Sequence, residues 1–316
     1  IMKSLLLLAI TCPFGHPWAA PRTRADRPAA SRTTKLFLAR SRSPPPIIPA
    51  DLRRSIREVA EELWSEEGGI PAAADAAERE KGEGGSPISG EAPYPAETGR
   101  SYADRTSYFE KLANDGDPRA QHSLGLLLWS GYGGCHVDPE SSARWHAAAA
   151  AQDHLDGVAV LGGCLRTGTG VGKAKDVALG LKLIECAAER RNPTGINKRA
   201  ALEETNGNFE EAYRMYSECW RRGNGNGDGG RGRCVPNALL LMNLGWCHVH
   251  GEGTTKDVPR GEDLWRRAAG MAPDEGSEEA AWLLYLQYKR DDPKEARQWL
   301  ELAADLGFDE AVEEMN

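Results

Sequence analysis

The chain has 316 residues, 40% hydrophobic and 27% charged, a balance that fits a folded protein and excludes a wholly disordered one. Its net charge of −8 hides a division: residues 1–50 hold eight basic residues and one acid, so they stand at +7 and the remainder at −15. An acidic body excludes nucleic acid as its partner, which needs a Lys/Arg surface to replace phosphate counterions; no run of about 18 apolar residues is present to span a membrane as a helix.

The leader comes first. Lys3 precedes the apolar residues 5–10, the layout of a secretory signal peptide, although Trp18 at −3 makes a cut after Ala20 a poor one. Residues 21–46 are rich in Arg, Ser, Thr, Ala and Pro and nearly free of acids, which reads as a transit peptide. Residues 1–50 are therefore expected to be a disordered address, directing the chain to the secretory pathway or endoplasmic-reticulum lumen, or alternatively to a plastid or mitochondrion.

A helix is predicted over residues 51–66. Leu52, Ile56, Val59, Ala60, Leu63 and Trp64 form one apolar stripe, Asp51 stands at the cap position, and Gly68-Gly69 ends it. The stripe can pack on the rest of the chain or dock on a partner, and both readings stay open. Residues 67–100 are Gly, Pro, Ala, Glu and Ser without periodicity and are expected to be a flexible linker.

From residue 101 the sequence repeats itself. Leu124-Gly125, Leu161-Gly162 and Leu244-Gly245 are each followed, after five residues, by Gly-x-Gly: Gly131 and Gly133, Gly168 and Gly170, Gly251 and Gly253. Asp138, Asp176 and Asp257 then precede an Ala-Ala pair by 11 and 12 residues. Each element has a physical role. Ala120, Leu124, Leu127 and Leu128 make one apolar helix face. The Gly after Leu lets a second helix approach, Gly-x-Gly ends the first helix, and the Asp caps the second. Asp292 with Glu295, and Asn208 with Glu211, have the spacing of capping boxes. Residues 222–235 are low-complexity and expected to be an exposed loop.

This pattern resembles the Sel1-like repeat, a relative of the tetratricopeptide repeat with a longer, Gly-rich turn, over residues 101–316. The expected fold is all-α: a solenoid of helix pairs. Two units depart from the pattern: about 193–221 has a short Gly207 turn, and about 277–307 lacks both Leu-Gly and Gly-x-Gly.

Chemistry is sparse. No Cys-x-x-Cys is present, and His248 and His250 diverge on a helix, so no metal is expected. The run from Gly168 to Lys173 looks like a phosphate loop but lacks a preceding strand. No catalytic residue and no cofactor are expected. Six cysteines lie beyond the leader, and they are either disulfide-bonded or small core residues in a reducing space. Cys164 and Cys186, on the two helices of one unit, are the expected bridge, and the resemblance implies that helix–helix disulfides occur in secreted relatives.

The expected function is a non-enzymatic adaptor holding a protein partner or peptide segment on a concave surface, with no nucleic acid and no transmembrane segment. The contact positions expected are the polar residues Gln121, His122, Asn243 and His248 of the first helices. The alternatives are a disulfide-containing assembly or quality-control factor of the endoplasmic reticulum or an organelle, and a small-molecule binder or hydrolase built on the solenoid.

Overall fold

The computed structural model describes residues 48–71, 102–131, 136–224, 234–271 and 276–315. The leader up to residue 47, most of the linker, Gly133 and Cys135 lie outside the described residues. Among the described residues there are 13 α-helices and no strand: α1 Ala50–Leu63, α2 Tyr102–Asn114, α3 Pro118–Ser130, α4 Pro139–Ala151, α5 Leu155–Thr167, α6 Val177–Glu189, α7 Pro193–Thr205, α8 Phe209–Asn224, α9 Ala238–His250, α10 Val258–Ala269, α11 Ser277–Tyr288, α12 Pro293–Asp305 and α13 Asp309–Met315. No helix among these residues is long and apolar enough to cross a membrane.

Five helix pairs stack in order: α3–α4, α5–α6, α7–α8, α9–α10 and α11–α12. Helix α2 ends the array on one side as a lone second helix, and α13 ends it on the other as a lone first helix. First helices also touch the next first helix, from α5 through α7 and α9 to α11, whereas successive second helices do not pack to that extent. The first helices therefore lie on the inside of the curve. Of the junctions from a second helix to the next first helix, α8–α9 is the most sparsely packed.

The caps are as the spacing predicts. The carboxylates of Asp138, Asp176, Asp257 and Asp292 accept amide hydrogens of Ser141, Leu179, Arg260 and Glu295 at 2.9–3.2 Å. The two capping boxes do not close, because the amide of Asp292 goes to the Tyr288 carbonyl and that of Asn208 to the Glu203 carbonyl.

The close approach of paired helices is enforced by glycine on both sides. A Cβ added to Gly162 would lie 2.8 Å from the Gly180 carbonyl oxygen, and one added to Gly245 would lie 2.9 Å from that of Gly261 and 2.6 Å from Trp265. Gly125 instead faces the His146 ring, and its carbonyl accepts the Ser142 hydroxyl at 2.7 Å. The two glycines of each turn divide the work. Gly168 and Gly251 end their helices in the left-handed conformation, as Gly131 does. Gly170 and Gly253 press against the preceding second helix: a Cβ there would stand 2.0 Å from the Pro139 oxygen and 2.1 Å from the Phe209 oxygen.

Helix α1 packs on the body. Its limits are Ala50 and Leu63 rather than 51–66, with Pro49 before it and Asp51 in its first turn. Ile56, Val59 and Ala60 bury against Ala143, Ala147 and Ala150 of α4 and the Val171 turn. The Trp64 ring meets Trp145 edge-on at 4.8 Å and donates its indole N–H to the Arg144 carbonyl. Arg53 grips Asp153 with two contacts of 2.9 Å.

Two further expectations are corrected. Cys164 and Cys186 are buried and not bonded to each other, and the bridge is instead Cys219–Cys234, with Cα atoms 5.2 Å apart. Helix α8 runs on to Asn224, so the expected loop over 222–235 starts within a helix; residues 225–233 lie outside the described residues.

Gly245→Ala tests the helix approach. The new methyl has no room at Trp265 or the Gly261 backbone, so overpacking should cost about 1–3 kcal/mol. A circular-dichroism melt should fall by about 2–4 °C for each kcal/mol; an unshifted melt would show that the pair can spread freely.

Candidate functional site

The first helices carry their polar residues inward. Gln121, His122, Asn243 and His248 are all buried, the least so Asn243 at 9% exposure. They are therefore not an exposed contact surface. The physical reason is packing between helices: Gln121 and His122 bond to groups of the second helices beside them, and Asn243 bonds to Asn197 of the preceding first helix.

What they build is a polar seam. The Gln121 amide donates to the Ala113 carbonyl at 3.2 Å and accepts from Gln152 at 2.8 Å. His122 Nδ1 lies 3.2 Å from His146 Nδ1, and its ring centre is 5.2 Å from that of His154. His154 caps α5, accepting the Gly157 amide hydrogen at its Nδ1. Asp156, two residues on, accepts from Asn192 at 3.0 Å and from the Thr194 hydroxyl. Asn192 caps α7 and Asn237 caps α9. Asn197 donates to Asn237 at 3.2 Å and accepts from Asn243 at 3.4 Å. The seam thus runs from α3 through α5 and α7 to α9.

His248 is the exception. Both its ring nitrogens are buried without a hydrogen-bond partner, and the ring stands edge-on to Tyr213 at 5.5 Å. Burial lowers its pKa, with Arg260 acting in the same direction and Asp257 against it.

The site's chemistry is that of a packed interior. Burial drives the Cys186 thiol up, and it drives the Cys247 thiol and the Tyr216 phenol higher still, away from the thiolate or phenolate a nucleophile would need. Among the described residues no group of three His, Cys, Asp or Glu is placed to hold a metal ion. The run from Gly168 to Lys173 forms the turn after α5 and a short 3-10 segment, not a phosphate loop. Sequence reasoning did not find Asn192, Asn197 or Asn237. Their signal was present: small polar residues recur at the cap and first turns of successive first helices.

Helix pairs joined by Gly-rich turns, Asp-capped second helices and an inward first-helix seam define an α-solenoid of Sel1 type. The Sel1 repeat family model matches residues 118–154, 158–192, 239–272 and 280–308, so the chain carries four Sel1 repeats. The α7–α8 pair, with its short turn, lies between two of the matches. The last match covers the α11–α12 pair although it lacks the Gly-rich turn. Among solved structures, the chain is similar to a Sel1 repeat protein from Oxalobacter formigenes, 23% identical with a TM-score of 0.41, over 67% of this chain and 82% of that one. It is also similar to a protective antigen of uropathogenic Escherichia coli strains with an SLR fold, 22% identical with a TM-score of 0.35, over 67% of this chain and 43% of that one. Comparison with curated proteins returns no match.

Two substitutions should move stability in opposite directions. Asn197→Ala leaves the amides of Asn237 and Asn243 short of a partner, a loss of about 1–3 kcal/mol. His248→Leu removes two unpaired buried nitrogens at similar volume, so its melt should stay level or rise. Thermal melts of the two variants beside the parent check the signs.

Proposed function

We propose that the chain is a non-enzymatic adaptor whose stacked helix pairs hold a protein partner or a peptide segment. The observation that supports this reading is the four matched Sel1 repeats, a fold that commonly mediates protein–protein interaction. Because the seam takes up the inward polar residues, the contact surface is assigned to exposed side chains. The chain beyond residue 50 carries −15, so a basic or mixed partner is favoured, drawn in by long-range attraction. With the full chain as bait, partner recovery should be high near 0.01 M salt, where the screening length is about 30 Å, and low near 1 M, where it is about 3 Å. Recovery independent of salt would count against the electrostatic part of this reading. Failure to recover any protein by proximity labelling in the native cell would count against the adaptor itself.

A second reading, a disulfide-containing assembly or quality-control factor, is favoured by the Cys219–Cys234 bridge. Such bonds persist in oxidising compartments, which agrees with the secretory direction proposed for the leader. Alkylation before reduction, followed by mass spectrometry of the protein from its own compartment, should leave Cys219 and Cys234 linked and label Cys186 and Cys247 once the chain is denatured. Labelled Cys219 and Cys234 would end this reading.

A further inference from the structure

Three histidines meet where the first units of the array join. His122 comes from α3, His146 from α4 and His154 from the start of α5; their exposures are 3%, 0% and 0%. The hydrogen bonds they make require an unprotonated nitrogen in each contact. The 3.2 Å contact between Nδ1 of His122 and Nδ1 of His146 needs one nitrogen without a proton, since two imidazolium rings present only donors there. Nδ1 of His154 accepts the Gly157 amide hydrogen, and a proton on that nitrogen would abolish the cap of α5. The surrounding charges give a new cation little help. Lys198, buried on α7, opposes a positive charge on His122 and on His146. The Asp156 carboxylate of α5 favours a positive charge on His122 more than Lys198 opposes it, but burial and His154 act more strongly the other way. Arg53 of α1 is paired with Asp153 in the α4–α5 turn.

We propose that this histidine cluster is an acid-operated latch, holding α3, α4 and α5 together at neutral pH and releasing them when the imidazoles take up protons. Burial, with the neighbouring histidines and Lys198, lowers His122 to about 3 and His146 well below its ordinary value. In the opened state the rings return to about 6.5. The sign follows: the closed form has its full advantage above that value and loses it as pH falls from 6.5 towards the closed-state values. Each proton taken up on opening raises the open population about tenfold per pH unit. No other group in this cluster titrates near neutrality in its unperturbed form.

The test is hydrogen exchange by mass spectrometry on the full chain at about pH 7.5 and about pH 5, corrected for intrinsic exchange rates, within the histidine range. Amides of α3, α4 and α5 should lose at least about tenfold more protection than those of α11–α13, which contain no histidine. Equal losses in both regions, or none, would overturn the latch. His154→Asn keeps a capping acceptor while removing one protonation site, so the chain should stay folded at the higher pH and its opening should depend on pH less steeply by about one proton. His146→Gln provides an independent variant with the same expected change. A folded variant with an unchanged slope would also overturn the proposal.

Discussion

Everything in the solenoid depends on how closely two helix backbones are allowed to come. At Gly162 with Gly180, and at Gly245 with Gly261, there is no side chain on either side, and carbonyl oxygens stand where a Cβ would collide. Each of these residues gives up roughly 1 kcal/mol of helix propensity relative to Ala, so the packing gained must exceed that. The reward is an apolar interior built largely from small side chains, with Ala147, Ala148, Ala187 and Ala268 fully buried. The second glycine of each turn extends the same logic between units, since Gly170 and Gly253 sit directly on the backbone of the preceding second helix. Short distances within a pair and between pairs set the curvature that brings first helices into mutual contact.

That curvature determines the fate of the polar residues. A chain of Asn, Asp, Thr, Gln and His side chains lies between first helices, where an unpaired group is costly and a paired one is directional. Apolar side chains would fill the same space but could slide; hydrogen bonds such as Asn197 to Asn237 pin each unit to the next at one register. The cap residues serve twice. Asn192 holds the Gly195 amide within its own helix and donates to Asp156 of the previous unit, so helix start and unit stacking are set by one side chain.

The repeat itself was legible because its determinants are local. Leu-Gly, Gly-x-Gly and the following Asp specify a helix end, a turn and a cap within about 20 residues, and Asp138, Asp176 and Asp257 do in the structure what their spacing predicts. The inward position of Gln121, His122, Asn243 and His248 was not legible, because burial there depends on contacts with other helices, which one helix's own periodicity does not encode. The cysteines failed for a similar reason. Cys164 and Cys186 share a unit, yet sharing a helix pair does not bring two side chains together, whereas Cys219 and Cys234 face each other across a junction between units. Helix α1 was recognisable from its stripe, but only the Ala143, Ala147 and Ala150 face of α4 shows where the stripe goes.

The Cys219–Cys234 bond has a consequence for cooperativity. In a linear array each unit is stabilised by its own fold and by its two neighbours, so the stack parts first at its poorest interface. Here that interface is α8–α9, and it is the one crossed by a covalent bond. With the bond intact, the α3–α8 block and the α9–α12 block stay joined at their seam even after the non-covalent contacts there have given way. With it reduced, the same chain becomes two cooperative blocks that can melt one after the other.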